Sequence, residues 1–275
     1  MTNTWVITTV RGRHEHLRRQ LLALAQTDPE SAHVVVAMGD DQVSQVAAEN
    51  AGGRRMLVPQ LDLEPGAEMP LSAARNLGAA TAIAQGAELL VLLDVDVIAA
   101  PGMLTAYEQA ALSHPEALLC GPVTYLAEGV APPADPSQLV RWRAPHTARP
   151  DPAAGSVQTG GEHKLFWSLS AALTPATWRA IGGFCEDYVG YGGEDTDFAW
   201  QARAAGVDLA WVGGGDGYHQ WHPVSSPPVE HLDAIVRNAR VFHERWGEWP
   251  MGGWLREFER RGLLTWSADG PIVVA

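Results

Sequence analysis

Short apolar runs alternate with amphipathic segments along most of the chain. Runs rich in Val, Leu and Ile predict buried strands, and apolar residues spaced three and four apart predict helices. The predicted strands cover residues 5–10, 33–38, 55–58, 89–93, 118–123, 165–173 and 207–212, the last of them at a sheet edge. The predicted helices cover residues 16–25, 72–85, 194–205 and 229–246, the last being the final helix, and a further one begins at residue 174. This alternation predicts an α/β fold with a mostly parallel sheet covered by helices on both faces.

Local signals set several of the boundaries. Ser72 is the predicted N-cap of its helix, and Gly86 is the predicted stop. Pro175 suits the first turn of the helix that follows Thr174. Residues 127–161 differ, because they contain six prolines and show weak periodicity. Such a stretch is typical of a long active-site loop or of an insertion.

Length and composition indicate one folded unit. The 275 residues suffice for one large core, and 46% hydrophobic with 19% charged residues is ordinary for a folded enzyme. No internal repeat or linker divides the chain. We therefore expect a single domain, with residues 1–250 forming it and residues 251–275 packing on it as a C-terminal tail.

The net charge of −13 argues against nucleic acid or an anionic membrane as a partner. The two cysteines, Cys120 and Cys185, form no disulfide framework and are typical of a reducing compartment. The chain start lacks the pattern of a signal peptide, and no apolar run approaches the roughly 20 residues of a membrane span. A cytoplasmic protein without a transmembrane segment is expected.

An acidic pair follows the apolar run 89–93. Asp94 and Asp96 are two positions apart, and on a regular strand such residues share a face, so both carboxylates would approach one ion. Mg²⁺ and Mn²⁺ prefer oxygen ligands, and a diphosphate would supply the others. The alternative is a strand end whose acids cap a turn.

A second acidic cluster follows a glycine-rich turn. Gly190, Gly192 and Gly193 permit unusual backbone angles and close approach of a ligand. Glu194 and Asp195 open the next helix, where acids are favourable in any case. With Asp197, three carboxylates fall within four positions, more than helix capping needs. One of them could accept a proton from an attacking hydroxyl.

Two histidines, His219 and His222, follow a third glycine-rich stretch, residues 213–217. The pair supplies candidate metal ligands beyond the aspartates, with His222 the firmer of the two. The alternative is a pair of partly exposed loop histidines.

Two further polar positions lie near predicted element ends. Arg75, near the start of its helix, could contact a phosphate or a donor base, or be a solvated helix residue. Asp40 follows the second strand, where its carboxylate could meet a uracil or ribose, or simply serve a turn.

These residues, in this order, resemble the GT-A fold nucleotide-sugar glycosyltransferases, especially family 2 and the related beta-1,4-galactosyltransferases. The resemblance spans about residues 5–246. Its most specific part is the segment GYGGEDTDF at 190–198, which is similar to the galactosyltransferase segment GWGGEDDD. Residues 72–78 resemble the family's "aRNxG" helix start, and residues 93–97 resemble its DxD strand.

The resemblance implies a role for each matching residue. Asp195 would be the catalytic base, Glu194 would contact the acceptor, and Asp96 would bind the metal. His222 would be the firmer histidine ligand, because His219 stands where the family has methionine. The implied donor-binding residues are Thr9, Arg11, Asp40, Arg75, Asp94 and Asp96, and the implied acceptor-binding residues are Tyr191, Gly193 and Glu194.

The resemblance implies an inverting reaction that requires Mn²⁺ or Mg²⁺. A sugar would pass from a nucleotide-sugar, most plausibly a UDP-sugar, to the hydroxyl of a carbohydrate or small-molecule acceptor. Two alternatives stay open. Asp94 and Asp96 also resemble the first motif of haloacid-dehalogenase-like phosphohydrolases, although that motif usually lies near the start of its fold. The third possibility is a non-catalytic sugar-binding protein that retains the GT-A fold.

Overall fold

The computed structural model describes residues 2–64, 66–267, 270 and 272–275. The strands are β1 Thr4–Val10, β2 Ala32–Met38, β3 Met56–Leu57, β4 Gln60–Leu61, β5 Leu89–Leu93, β6 Val97–Ala99, β7 Leu118–Cys120, β8 Val123–Tyr125, β9 Val157–Gly161, β10 Ser170–Leu173, β11 Leu209–Val212, β12 Gly217–His219, β13 Leu264–Thr265 and β14 Val273–Val274. The α-helices are α1 His14–Thr27, α2 Gln42–Asn50, α3 Leu71–Ala84, α4 Met103–Ser113, α5 Pro175–Ile181, α6 Glu194–Ala204, α7 Leu232–Trp246 and α8 Gly252–Arg260. Short 3₁₀ helices cover Pro136–Trp142, His163–Leu165 and Val229–His231.

The central sheet has the strand order β3-β2-β1-β5-β10-β7-β11-β9, with β4 also paired to β2. The pairs that β1 forms with β2 and β5 are parallel, and so are the pairs that β2 forms with β3 and β4. Strand β7 is parallel to β11. Strand β10 is antiparallel to both β5 and β7, and β9 is antiparallel to β11. The expected α/β architecture with a largely parallel sheet is confirmed. Because β1, β2 and β5 are parallel, their carboxyl ends meet at one edge, where ligands of such sheets bind.

Alternating side chains of the central strands supply two separate hydrophobic layers. On β1, Trp5 and Ile7 belong to one buried cluster and Val6 to the other. On β5, Leu90 and Leu92 face the first layer, while its other three residues face the second. Helix α3 contributes to the first layer and α4 to the second. Burial on both faces explains why these strands are continuous apolar runs.

Helix α3 lies unusually close to the sheet. A Cβ added to Gly78 would lie 2.5 Å from Ile7 Cγ2 and 3.2 Å from Val36 Cγ2. Only a residue without a side chain permits this approach. The close packing fixes how far Arg75, one turn earlier, reaches across the carboxyl ends of the strands.

A small second sheet has the order β6-β12-β8. Strand β12 is antiparallel to β6, with His219 opposite Val97, and parallel to β8, with His219 opposite Tyr125. This sheet brings the segment after Asp96 together with His219, although more than a hundred residues separate them.

Several predicted boundaries are wrong. Helix α3 begins at Leu71 after Pro70, so Ser72 is not the N-cap but lies buried within the first turn. The run 118–123 divides into β7 and β8, which belong to different sheets, because Gly121 and Pro122 interrupt it. Of residues 165–173, only β10 is a strand.

The end of the chain also differs from the prediction. Strand β11 is not at an edge, because β9 pairs with its outer side. The helix predicted at 229–246 starts as α7 at Leu232, and it is not the last, since α8 follows. Leu255 and Phe258 of α8 are fully buried in a cluster with Ile235 of α7. No helix among the described residues has both the length and the apolar character needed to cross a bilayer.

Candidate active site

The acidic turn between β5 and β6 is held by buried polar side chains. Gln20 on α1 donates to the carbonyls of Asp94 (2.7 Å) and Val97 (2.9 Å). Thr8 on β1 donates to the carbonyl of Leu93 at 2.9 Å. The backbone N–H of Gln220 donates to the carbonyl of Asp96 at 2.6 Å. Because every one of these bonds is to the backbone, both aspartate side chains remain available for other partners.

Asp94 and Asp96 do not share a face. The N–H of Val97 donates to the carbonyl of Asp94 at 2.9 Å, so the chain turns instead of continuing as a pleated strand. The Asp94 carboxylate faces Arg75, whereas the Asp96 carboxylate faces His219 and His222. The expectation that both would approach one ion from a regular strand is therefore wrong.

Asp96, His219 and His222 form a cluster suited to a metal ion. One ligand atom from each lies within 4.8 Å of the others. Asp96 Oδ1 is 3.4 Å from His219 Nε2, and Asp96 Oδ2 is 3.5 Å from His222 Nε2. The set mixes one oxygen with two imidazole nitrogens, which Mn²⁺ accepts more readily than Mg²⁺, an ion that prefers oxygen ligands alone.

The protonation preferences of the cluster follow from burial and charge. Although burial opposes ionisation, hydrogen bonding by His222 and the nearby charges of His219 and Arg13 lower the pKa of Asp96 to about 2. Burial lowers the pKa of His219, which favours the neutral imidazole with a free lone pair. The hydrogen bond to Asp96 raises the pKa of His222. An ionised carboxylate beside a neutral imidazole is the state that binds a cation.

Arg13 also reaches Asp96, with its guanidinium paired to Oδ2. It precedes α1 with a φ of 49°, a left-handed conformation that is uncommon for a residue with a side chain. No sequence motif identified Arg13. The arginine-glycine-arginine turn at the end of β1 was the available signal, because parallel topology places it beside the turn after β5.

Arg75 connects the two acidic motifs. Its guanidinium lies 3.2 Å from Asp94 Oδ1, 3.4 Å from Glu194 Oε1 and 3.8 Å from Asp195 Oδ1. The side chain is buried, which opposes its charge, but these three carboxylates raise the pKa of the guanidinium. Arg75 is thus a permanent cation and not a solvated helix residue. It holds Asp94 and Asp195 on one side of the molecule.

The helix carrying Glu194 and Asp195 starts at a turn that requires glycine. Gly193 precedes α6 with a φ of 94°, and a Cβ there would lie 3.0 Å from the Tyr188 ring. Asp195 Oδ2 accepts a hydrogen bond from the N–H of Ser168 at 3.0 Å. Burial and the Asp195 charge raise the pKa of Glu194 to about 7, against the effect of Arg75.

Asp197 lies outside the site. It is fully buried and accepts hydrogen bonds from four side chains, which are Tyr188 (3.2 Å), Gln201 (2.8 Å), Arg245 (2.8 Å) and Trp246 (2.7 Å). The third carboxylate of the segment therefore attaches α6 to α7, and only Glu194 and Asp195 face the other acidic motif.

Tyr191 lies between two aromatic rings. Its ring is stacked on His231 at a centroid distance of 4.7 Å and on Trp254 at 5.8 Å. This position joins the glycine turn to α8. Burial and the charges of Glu194 and Asp195 raise the pKa of Tyr191 to about 12, so the phenol stays protonated.

Three further predicted residues surround the end of β1. Thr9 is buried at the carboxyl end of the strand. Arg11 donates to the carbonyl of Ala67 at 2.8 Å. Asp40 Oδ2 accepts hydrogen bonds from the N–H of Gly12 (2.6 Å) and from His14 (2.8 Å). The Asp40 carboxylate thus stabilises the turn that presents Arg13.

Two comparisons of the sequence with known proteins each match a limited part of the chain. The family model described as the N-terminal domain of galactosyltransferase matches residues 161–223. Validoxylamine A glucosyltransferase of Streptomyces hygroscopicus subsp. jinggangensis (strain 5008) is 39% identical over 44 residues, which are 16% of this chain and 10% of that protein. The same figures hold for the enzyme of that name from subspecies limoneus. The chain thus matches only a tenth of these relatives' length.

Solved structures match over most of the chain. The structure of S. aureus TarS 1-349 superposes with a TM-score of 0.60 at 16% identity, covering 87% of this chain and 65% of that one. GalNAc-T7, solved with UDP, GalNAc and Mn²⁺, superposes with a TM-score of 0.59 at 13% identity, covering 90% of this chain and 48% of that one. At such identities the likeness concerns the fold. The fold leaves no support for the haloacid-dehalogenase-like alternative, since this chain has the GT-A fold.

Proposed function

We propose that the protein is an inverting, metal-dependent glycosyltransferase that moves a sugar from a UDP-sugar to a hydroxyl acceptor. One observation carries the proposal. The Asp96–His219–His222 cluster and the Asp195 carboxylate lie at the same sheet edge, and Arg75 connects them through Asp94. A cation site beside a carboxylate that can take a proton is the arrangement needed to activate a nucleophile and release a diphosphate.

The cation site would be formed by Asp96, His219 and His222. A bound Mn²⁺ there would offset negative charge on the leaving diphosphate. Arg75 adds a fixed positive charge between the two acidic motifs, where burial strengthens its effect. Arg13, on the exposed side of Asp96, is placed to pair with a phosphate oxygen once the cation neutralises the carboxylate.

Asp195 would act as the base. Its Oδ2 is oriented by the Ser168 N–H, and its Oδ1 has no hydrogen-bond partner among the described residues. The acceptor hydroxyl would give its proton to Asp195 while its oxygen bonds to the anomeric carbon. The bond from that carbon to the diphosphate oxygen breaks in the same step, and the leaving group takes the electron pair. Attack from the face opposite the diphosphate inverts the anomeric centre.

The relatives support the choice of donor. TarS has been solved with UDP and with UDP-GlcNAc, and GalNAc-T7 with UDP, GalNAc and Mn²⁺. The matching short segment in validoxylamine A glucosyltransferase belongs to a protein named for glucosyl transfer. We therefore propose UDP-glucose or UDP-GlcNAc as the first donors to test, with Mn²⁺.

The substitution Asp195→Asn tests the function. We expect UDP release from the donor to fall at least about a hundredfold, because the amide cannot accept the proton. UDP affinity in the presence of Mn²⁺ should stay within about twofold of wild type, since Asp195 does not contact the metal cluster. Coupled detection of UDP gives the rate, and calorimetry gives the affinity.

Asp208→Asn is the matched control, because Asp208 is exposed and lies beyond the C-terminal end of α6, whereas Asp195 lies in the first turn of that helix. It should turn over donor at the wild-type rate. Equal rates for Asp195→Asn and wild type would remove Asp195 from the role of base. A wild-type protein that binds UDP with Mn²⁺ but never releases it from a donor would favour the non-catalytic, sugar-binding alternative.

A further inference from the structure

Three aromatic side chains form a continuous row on the surface beside the candidate site. We call Tyr125, His146 and Trp167 the aromatic ridge. The ring centroids of Tyr125 and His146 are 5.9 Å apart, and those of His146 and Trp167 are 5.1 Å apart. Tyr125 is 47% exposed, His146 is exposed, and Trp167 is half-buried. Successive rings meet edge to face, at interplanar angles of 67° and 86°, and each ring is at least partly exposed to solvent, although Trp167 also packs against the buried core.

Backbone hydrogen bonds fix the ridge although its members come from separate segments. Tyr125 ends β8, and the N–H of His146 donates to the carbonyl of Val123 in that strand at 2.9 Å. The neighbouring Ala144 N–H donates to Thr124 Oγ1 at 3.0 Å. These bonds attach the proline-rich stretch 127–161 to the small sheet. That stretch was expected to be an active-site loop or an insertion, and here it delivers His146 to the ridge.

A buried arginine supports the last ring. The guanidinium carbon of Arg149 lies 4.1 Å from the centroid of Trp167 and 5.3 Å from that of Trp211. Its Nε donates to the carbonyl of Leu165 at 2.9 Å, while the buried Nη1 has no partner among the described residues. Arg149 is only 6% exposed, and its guanidinium packs against the indole of Trp167. This buried contact makes the indole a rigid surface.

The two ends of the ridge adjoin the two halves of the candidate site. At one end the Tyr125 ring lies 4.6 Å from the imidazole of His219, a member of the metal cluster. At the other end Trp167 directly precedes Ser168, whose N–H donates to Asp195. A molecule lying along the ridge would therefore extend from the metal cluster to the proposed base.

We propose that the aromatic ridge is the acceptor subsite and binds a pyranose ring by its C–H face. The inference rests on the proposed function. Binding sites for small molecules combine aromatic surfaces with few oriented polar groups, and Tyr and His add polar tips to their rings. The charged cluster of Arg75, Asp94 and Glu194 offers hydrogen bonds for the donor's sugar instead. The exposed ridge is open to a substrate that must arrive and leave in each turnover.

Saturation-transfer NMR with methyl α-D-glucopyranoside, in the presence of UDP and Mn²⁺, tests the assignment. Wild-type protein should transfer saturation mainly to the C–H protons of one face of the ring. Trp167→Ala should reduce the transfer about tenfold, and His146→Ala should also reduce it. UDP affinity, measured by calorimetry on the same samples, should change less than about twofold, which also shows that each variant is folded.

Trp142→Ala is the control, because Trp142 belongs to the same stretch 127–161 but its ring lies under Arg141 and not in the ridge. It should leave the transfer unchanged.

Equal transfer in Trp167→Ala and wild type, or no transfer to the glucoside in wild type, would overturn the proposal. A loss of UDP-glucose affinity without a loss of UDP affinity would instead assign the ridge to the donor's sugar. Failure of wild type to bind UDP with Mn²⁺ would refute the proposed function itself. The glucoside signal tests only the acceptor subsite, so the two failures are distinguishable.

Discussion

At the scale of single residues, the cation cluster depends on three side chains with different supports. The backbone carbonyl of Asp96 is fixed by the N–H of Gln220. His219 is the last residue of β12, and His222 lies three residues after it in the following loop. The structure thus places both histidines at comparable distances from the carboxylate, 3.4 and 3.5 Å. The sequence resemblance favoured His222 and left His219 less certain. The geometry gives no reason to separate them.

Substitution of the cluster should abolish metal-dependent donor binding. We expect His222→Gln and Asp96→Asn each to weaken Mn²⁺-dependent UDP binding at least about tenfold, because a site of three protein ligands loses one of them. Calorimetric titration of UDP with and without Mn²⁺ measures the effect. Chelation should reduce wild type to the level of the variants.

His114→Gln is the control for these variants, since His114 follows the C-terminal end of α4 and is not part of the cluster. It should retain wild-type affinity. Tight UDP binding by wild type in the presence of a chelator would contradict the cation assignment, whatever the variants do.

The residue types of the site could be predicted from the sequence, but the orientation of every side chain could not. The motifs identified Asp94, Asp96, Glu194 and Asp195, yet the strand periodicity used for the first pair does not hold inside a turn. Arg13 was missed because its role depends on a long-range contact with Asp96 that no local pattern encodes. Glycine turns, in contrast, are local, and Gly193 adopts the positive φ expected of it.

At the scale of elements, α6 is positioned by Asp197. This carboxylate accepts hydrogen bonds from Arg245 and Trp246 of α7, so the helix that carries Glu194 and Asp195 cannot shift independently of α7. In the sequence, Asp197 is one of three carboxylates within four positions. Its burial shows that one member of the cluster is structural, a distinction that depends on helix packing and not on spacing.

Asp197→Asn should destabilise the protein by about 2–3 kcal/mol, because the buried amide leaves Arg245 without its charge partner and loses acceptor capacity. Urea unfolding followed by tryptophan fluorescence measures the loss. Asp208→Asn, at an exposed position, should unfold at the wild-type midpoint. If the urea midpoint of Asp197→Asn also equals that of wild type, the hydrogen bonds of Asp197 do not contribute to the stability of the protein.

Element boundaries show where sequence patterns lose information. The apolar run 118–123 contains two strands that pair with different neighbours, and a hydrophobic pattern does not specify which sheet a strand joins. Ser72 has the residue type of an N-cap, but the close approach of α3 to β1 buries it inside the helix. Tertiary packing thus overrides the local preference.

At the scale of the whole molecule, the α/β class was predictable because burial on both faces imposes continuous apolar strands, whereas the GT-A fold was implied by the family resemblance of the motifs. The antiparallel insertion of β10 was not, since strand order depends on crossovers that leave no local pattern. The division into residues 1–250 and a tail of residues 251–275 remains a prediction.

Removing residues 251–275 tests this division. The shortened protein would lose α8, whose Leu255 and Phe258 are fully buried against α7, and Trp254, which stacks on Tyr191. Burying a large side chain contributes about 1.5–3 kcal/mol, so we expect a loss of about 3–6 kcal/mol with a single unfolding transition retained. Urea unfolding by circular dichroism gives both quantities, and Leu255→Ala in the full chain should reproduce part of the loss, about 2–5 kcal/mol.

UDP affinity should persist, because every residue of the cation cluster precedes residue 251. A shortened protein without a cooperative transition would mean that α8 belongs to the domain core, and that the tail is not a separate addition to it.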